Sequence, residues 1–223
     1  MEIRKIPITK ITKEEKIITE DLVAVEEGYE VLVNGKKAFS FTCSPMDIEE
    51  MVVGSLYSRG YITSTKDIDV MEVLERRIEV RLHPKAAPLK QEKETVILEE
   101  ETIFETVRKI FSDQDTLFNR TGCAHSCSLM RHGVLVCTFE DIGRHNALDK
   151  VIGYALLNGL PLESCAVFTS GRISGDYMEK LIHAGIPVAV SRAAVTSEAV
   201  SLAMENNVIL YGFVRGNSAN RYS

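Results

Sequence analysis

The first part of the chain alternates apolar and polar positions at the spacing that is typical of β-strands. These strand-like runs cover residues 17–25, 29–33, 38–41, 67–74 and 78–82. Asn34-Gly35 lies between two of them, which predicts a tight hairpin. Ser44 as N-cap, Pro45 at the first helical position and Gly60 beyond the end predict a helix of about four turns. Residues 99–111 place Ile103, Val107 and Ile110 on one side and predict a second helix.

In the second part, short apolar runs alternate with stretches of helical period. We predict strands at 134–139, 166–169, 187–190 and 208–213, and helices at 146–157, 175–184 and 197–205. Helical connections between short apolar strands are typical of a parallel sheet that is covered on both faces. We therefore expect an α/β fold with a mostly parallel sheet. Residues 1–98 would form a smaller β-rich portion, and residues 99–223 the core that carries a ligand pocket.

Charge is distributed unevenly over the 223 residues. Residues 1–115 carry 17 Lys+Arg and 24 Asp+Glu, whereas residues 116–223 carry 9 and 8. The formal net charge of −6 argues against broad nucleic-acid binding. No apolar run is long enough for a membrane span, and the N-terminus lacks the apolar stretch of a signal peptide. We expect a cytoplasmic protein with reduced thiols, without nucleic-acid or membrane partners, and either a pocket for an anion or only a well-buried core in the second part.

Cys123, His125 and Cys127 are the candidate catalytic residues. A neighbouring positive charge or helix N-terminus favours the reactive thiolate, and Gly122 would allow a sharp turn before Cys123. The alternative is that both thiols are buried on a helix that starts near Ser126. A metal site is not expected, because a Cys-x2-Cys pair is absent. The remaining cysteines are predicted to be structural: Cys43, Cys137 and Cys165.

Polar loops that contain Gly or Ser beside an Arg follow three predicted strands, and a similar stretch follows the last strand. Free N–H groups at helix starts and guanidinium groups both bind phosphates. The candidate cofactor-binding residues are Gly143, Arg144, His145, Ser170, Gly171, Arg172, Ser191, Arg192, Tyr211, Gly212, Phe213, Val214, Arg215 and Gly216. Helix capping remains the alternative for Asp141 and Asn146, and ion pairing for Asp149 and Lys150.

Six stretches, in order, resemble the formate dehydrogenase accessory proteins of the FdhD/NarQ sulfur-carrier family. They are residues 44–47, 121–125, 140–150, 169–172, 191–196 and 212–216. The resemblance implies a three-layer core like that of cytidine deaminases, often in a homodimer. It also implies a protein that receives persulfide sulfur from a cysteine desulfurase. The sulfur passes to the molybdenum or tungsten bis-guanine-dinucleotide cofactor of formate dehydrogenase, which residues 211–216 would bind and a GDP-like nucleotide would mimic.

The chain departs from this family at one important place. Many members carry a Cys-x2-Cys loop whose first Cys holds the persulfide, but residues 83–101 contain no Cys here. Two interpretations stay open, and with them whether the protein is an enzyme. Either Cys123 carries the sulfur with help from Cys127, or the protein is a non-catalytic cofactor chaperone. A zinc deaminase is excluded, because neither His-x-Glu nor Pro-Cys-x-x-Cys is present.

Overall fold

The computed structural model describes residues 2–83, 96, 98–112 and 115–223. Its N-terminal part begins with a two-stranded antiparallel ribbon, β1 (Ile3–Ile11) and β2 (Lys16–Ala24). A four-stranded sheet of order β4-β3-β6-β5 follows, built from β3 (Glu27–Val33), β4 (Lys36–Cys43), β5 (Ile68–Leu74) and β6 (Arg77–Leu82). The predicted strands and the hairpin at Asn34-Gly35 are confirmed, while β1 was not predicted. Residues 83–93 contain Pro84 and Pro88, which predict a loop, and they lie almost wholly outside the described residues.

Helix α1 (Ile48–Ser58) packs on this sheet through Val52, Val53 and Leu56. The prediction that Ser44 caps it was wrong, because Asp47 occupies the N-cap position and the helix has about three turns. Ser44 is instead fully buried, and its backbone N–H donates to Asp141 Oδ2 at 3.1 Å. Its hydroxyl group therefore serves the neighbouring loop rather than the helix, accepting a hydrogen bond from Ile142 N.

The second part contains a six-stranded sheet of order β12-β11-β10-β9-β7-β8. Its strands are β7 (His125–Arg131), β8 (Val134–Asp141), β9 (Cys165–Thr169), β10 (Val188–Ser191), β11 (Ile209–Arg215) and β12 (Ser218–Arg221). The expectation of a mostly parallel sheet was wrong. Two of its five strand pairs, β9–β10 and β10–β11, are parallel, and the other three are antiparallel. The helix considered near Ser126 is strand β7, which forms a hairpin with β8.

Helices cover both faces of this sheet, so the predicted layering is present. The helices are α2 (Glu100–Ser112), α3 (Leu117–Thr121), α4 (Arg144–Leu157), α5 (Gly175–His183) and α6 (Ser197–Glu205). Helix α2 packs on one face, and α4, α5 and α6 pack on the other. The likeness to cytidine deaminases and the division at residue 98 stay predictions. Within the described ranges, no helix has the length and apolarity needed to cross a membrane.

Helices α1 and α4 cross at a pair of glycines. A Cβ atom on Gly54 would lie 1.8 Å from the carbonyl oxygen of Asp149, and one on Gly153 would lie 1.9 Å from that of Glu50. Both distances are shorter than any permitted contact, so only glycine fits at either position. The main chains of the N-terminal part and of the core are therefore in direct contact.

Candidate functional site

Five strands bring the predicted loops to one edge of the six-stranded sheet. The edge is formed by the carboxyl ends of β9, β10 and β11, where the loops containing Ser170, Arg192 and Arg215 begin. Because β7 runs antiparallel to β9, its first residue, His125, lies at the same edge, directly opposite Asp141 at the end of β8. The polar loops predicted after these strands therefore converge at one edge, although the sheet that brings them together is mixed.

Hydrogen bonds between neighbouring loops fix this edge. Ser126 N donates to Ser170 Oγ at 2.9 Å, and Ser191 Oγ donates to the Gly171 carbonyl oxygen at 2.8 Å. Farther along, Phe213 N donates to the Ala193 carbonyl oxygen at 2.9 Å. Ser170 and Ser191 therefore fix the distance between neighbouring loops through these hydrogen bonds.

A cavity of about 860 Å³ opens at this edge, on the side of helix α2. That volume is in the range of small-molecule sites. Of the predicted site residues, His125, Ser170, Arg192 and Arg215 line it. Its other charged lining residues, which sequence reasoning missed, are Lys109, Asp47, Asp115 and Glu140.

Arg192 and Arg215 keep their charges available at the cavity wall. The Arg192 guanidinium lies 4.7 Å from the ring centre of Phe111, and Arg215 Nε donates to the Arg192 carbonyl oxygen at 3.1 Å. In the part of the chain that the structure describes, no carboxylate forms an ion pair with either residue. The pair is thus preorganised for an anionic ligand such as a phosphate.

Arg144, His145 and Arg172 do not line this cavity. Arg144 Nη2 donates to Ser174 Oγ at 3.3 Å, and His145 Nε2 lies 3.3 Å from Asp176 Oδ2 at the start of α5. Gly143 is the N-cap of α4. The first residues of α4 therefore contact the start of helix α5, and the role in cofactor binding of Gly143, Arg144 and His145 stays a prediction.

His125 lies between these two groups and is half-buried. Burial lowers the pKa of its imidazole, and the charges of Arg144 and Arg172 lower the pKa further. Both causes disfavour the imidazolium form. His125 is therefore neutral at pH 7, when one ring nitrogen is free to accept a proton.

The five cysteines differ sharply in accessibility. Cys123 is exposed in the loop that joins α3 to β7, while Cys43, Cys127 and Cys165 are buried and Cys137 is half-buried. Burial raises the pKa of the Cys43, Cys127 and Cys137 thiols to about 12 and that of Cys165 to about 11. A buried thiol of high pKa is unreactive, which agrees with the structural role predicted for three of them.

Cys127 is not placed to assist Cys123. Its Sγ lies 3.6 Å from the Tyr177 hydroxyl oxygen, in the core between the sheet and helices α4 to α6. Cys123 is instead exposed, and it directly precedes the cavity-lining residues Ala124 and His125 without lining the cavity itself. The two thiols are thus separated by burial, despite being four residues apart in the sequence.

Helix α3, which sequence reasoning missed, positions the Cys123 loop. The Glu140 carboxylate accepts hydrogen bonds from Leu117 N at 2.6 Å and from Phe118 N at 3.3 Å, which anchors the start of α3 to the end of β8. At its other end Gly122 adopts φ 69° and Thr121 Oγ1 accepts from Cys123 N at 3.1 Å. The turn predicted at Gly122 is therefore present.

Residues 211–216 have mixed surroundings. Tyr211 and Val214 are buried in the core beneath α2, and Gly212 packs against Tyr222 and Val195. Phe213 is exposed and has a positive φ of 52°, and Gly216 lies in the turn to β12. Only Arg215 of this stretch lines the cavity.

Asp141 and Lys150 form a fully buried ion pair behind the site, with Lys150 Nζ 2.9 Å from Asp141 Oδ2. Lys150 Nζ also donates to the Glu140 carbonyl oxygen, and Asn146 Nδ2 and Gly143 N donate to Asp141 Oδ1. Ion pairing was the alternative considered for Lys150, and it is confirmed. The burial of this pair carries no signal in the sequence.

Comparisons with known proteins identify the family to which the chain is similar. The model of the FdhD/NarQ family matches residues 24–98 and 86–223. Protein FdhD of Methanocaldococcus jannaschii is 35% identical, with 99% of this chain and 96% of that protein covered. Sulfur carrier protein FdhD of Sulfolobus acidocaldarius is 34% identical, with 100% and 97% covered.

A solved structure described as a formate dehydrogenase accessory protein of Desulfotalea psychrophila has the same fold. It superposes with a TM-score of 0.87 at 29% identity, with 100% of this chain and 97% of that chain covered. Sequence and fold therefore agree over essentially the whole length. The chain belongs to the FdhD/NarQ family.

Proposed function

We propose that this protein is a cytoplasmic sulfur carrier in the maturation of formate dehydrogenase. It receives sulfur from a cysteine desulfurase as a persulfide on Cys123. It then passes that sulfur to a molybdenum or tungsten bis-guanine-dinucleotide cofactor, which is bound as cargo in the cavity beside α2. The names of the relatives, sulfur carrier protein and formate dehydrogenase accessory protein, support this assignment.

The observation that carries the proposal is the position of Cys123. It is the one cysteine among the five that is exposed, and it directly precedes two residues of the cavity wall. A sulfur carrier must meet a donor protein on one side and its acceptor on the other. An exposed thiol that is adjacent in the sequence to two cavity-lining residues is suited to both requirements.

The charges at the cavity support an anionic cargo. Arg192, Arg215 and Lys109 line it, and the pyrophosphate groups of a dinucleotide cofactor are the natural partners of such cations. Arg144, Arg172 and the remaining predicted loop residues would contact parts of the cargo that extend beyond the cavity.

The sulfur transfer takes two steps, in each of which one S–S bond forms and another breaks. The Cys123 thiolate attacks the outer sulfur of the desulfurase persulfide, so that one S–S bond forms, another breaks and the desulfurase thiolate leaves. Release of that sulfur at the oxidation level of sulfide requires two electrons. An added thiol supplies them when it attacks Cys123 Sγ and remains in a mixed disulfide, because Cys127 is buried.

The second candidate is a cofactor chaperone that transfers no sulfur. The absence of Cys from residues 83–101 and the burial of Cys127 favour it. It predicts that binding of the cofactor, or of GDP as a mimic, is the whole activity. The two candidates differ in what happens at Cys123.

Mass spectrometry after incubation with a cysteine desulfurase and cysteine distinguishes them. We expect the Cys123 peptide to gain about 32 Da, the mass of one sulfur atom. Cys123→Ala should lose this gain and the ability to support formate dehydrogenase maturation, while it keeps GDP binding; Cys137→Ala is the matched control and should behave as the wild type. A gain on another cysteine would contradict the assignment to Cys123, and no gain on any cysteine would contradict the carrier function and leave the chaperone.

We also propose that the protein acts as a homodimer. Light scattering at micromolar concentration tests this, and a mass of one chain would contradict it. The sulfur-transfer proposal does not depend on the result.

A further inference from the structure

Asp47 combines three features that the proposed function does not use. It occupies the N-cap position of α1, yet its carboxylate makes no capping hydrogen bond. Its backbone has φ 53° and ψ 44°, the left-handed conformation that is costly for residues other than glycine. Its side chain lines the cavity.

The Asp47 carboxylate is unengaged among the described residues. Asp is a preferred N-cap because its side chain accepts from the first turn, so an Asp that points elsewhere forgoes that stabilisation. Burial raises the pKa of this carboxyl group, and the charges that act on it are Lys150, Glu50 and Asp141. Lys150 is already held by Asp141 and by the Glu140 carbonyl oxygen.

The other acidic residues of the cavity wall are occupied. Glu140 accepts from two backbone N–H groups of α3, and Asp115 lies 3.9 Å from the guanidinium of Arg120. Among the described residues, neither an ion pair nor a hydrogen bond joins Asp47 to the cavity-lining cations Lys109, Arg192 and Arg215. A ligand that contacts these cations through phosphates therefore still meets a half-buried carboxylate that lacks hydrogen-bond donors.

The two oxygens of a carboxylate match two adjacent N–H donors in one plane. A 2-amino-4-oxopyrimidine ring presents such donors, from its ring N–H and its exocyclic amine, and it occurs in both guanine and pterin. The cavity also offers Phe118, which is half exposed, and Phe111 as flat apolar surfaces for a ring. Adenine and cytosine lack the adjacent donor pair.

We propose that Asp47 is the specificity-determining residue of the cavity and selects a 2-amino-4-oxopyrimidine ring through paired N–H···O bonds. This inference rests on the proposed function only in that the cavity must bind the cofactor cargo or parts of it. In this proposal Asp47 binds the ring of the ligand, whereas the cavity-lining cations bind its phosphates. The Asp47 carboxylate makes no capping hydrogen bond to α1, so its oxygens remain available as acceptors for a ligand.

Calorimetry with two pairs of ligands tests this role. GDP and IDP differ in the 2-amino group, and so do pterin and lumazine. We expect the wild type to bind the 2-amino member of at least one pair about tenfold more tightly, since a hydrogen bond to a charged group is lost in the other member. Asp47→Asn should remove that preference and leave binding of inorganic pyrophosphate unchanged. A preference lost within the GDP pair assigns Asp47 to the guanine end, and one lost within the pterin pair assigns it to the pterin.

Asp47→Asn is a conservative test because Asn adopts the left-handed conformation readily. Glu49→Gln, an exposed position in the first turn of α1 that does not line the cavity, is the matched control and should keep the preference. An equal preference in Asp47→Asn and wild type would overturn the inference. So would a wild type that binds pyrophosphate without distinguishing either pair, and in that case the proposed function survives. A wild type that binds none of these ligands overturns both.

Discussion

The charged side chains on the two sides of the sheet edge differ in whether they are paired within the protein. On the α4 side, Lys150 and Asp141 have fully buried side chains and lie 2.9 Å apart, and Lys180 holds the nearly buried Asp149 at 2.7 Å. On the α2 side, Arg192 and Arg215 line an open cavity and form no ion pair with a described carboxylate. Charges of the first kind hold loops in place, and charges of the second kind are left for a ligand. Proximity to the site does not by itself assign a charged residue to binding.

The largest effect is expected when one partner of the buried Lys150–Asp141 pair is removed. Lys150→Met would leave Asp141 buried without its counter-charge, and we expect the free energy of unfolding to fall by about 3–5 kcal/mol. Urea denaturation measures this loss. Lys36→Met, at an exposed position in β4, is the control and should change stability by less than about 0.5 kcal/mol. A loss below about 1 kcal/mol for Lys150→Met would mean that the pair is not what holds the loop.

On the open side, the same kind of change should affect binding instead of stability. Arg215→Gln removes a guanidinium from the cavity wall, and we expect pyrophosphate and GDP to bind about tenfold more weakly. Stability should stay within about 0.5 kcal/mol of the wild type. Arg77→Gln, which removes an exposed arginine that pairs with Glu79 in the four-stranded sheet, is the control for net charge. Equal weakening in both variants would show that overall charge, not the cavity wall, governs binding.

The smallest effect concerns His125, which lies between the two sides. Its pKa is lowered in the folded protein by burial and by Arg144 and Arg172, so the unfolded chain binds the proton more readily. Stability is therefore highest above the ordinary His pKa of about 6.5 and falls as the pH drops through that value toward the lowered one. His145, whose pKa is also lowered, contributes with the same sign.

Urea titrations at pH 7.5 and 5.5 measure this dependence. His125→Gln should lose less stability between these pH values than the wild type does, and His83→Gln, at an exposed position, should match the wild type. A steeper loss in His125→Gln would contradict the assigned sign.

Local patterns were sufficient for most helices and strands. Helix α6 begins at Ser197 and ends at Glu205, as its apolar spacing predicts, and β5 and β6 lie within one residue of their predicted bounds. Local patterns did not predict whether neighbouring strands run parallel or antiparallel. A short apolar run has the same pattern in parallel and antiparallel sheets, so β8 was taken for a parallel strand, and β7, its antiparallel partner, was not predicted.

The site was predictable where a residue follows a strand and not where a distant element meets it. Ser170, Arg192 and Arg215 follow β9, β10 and β11 and line the cavity as expected. Asp47 and Lys109 reach it from α1 and α2, whose placement depends on packing over long sequence distances. Likewise, Cys123 and Cys127 have the same chemistry in the sequence, but Cys123 lies in the exposed loop before β7 and Cys127 lies within β7, where the core buries it.

The crossing of α1 and α4 at Gly54 and Gly153 has a consequence for how the cavity can vary. Main-chain atoms of the two helices meet at this crossing, so the helices cannot approach more closely whatever apolar side chains surround them. Asp47 at the start of α1 and Asp141 before α4 are consequently held in a fixed spatial relation. A side chain at either glycine would move α1 relative to α4, and with α1 the position of Asp47 in the cavity wall.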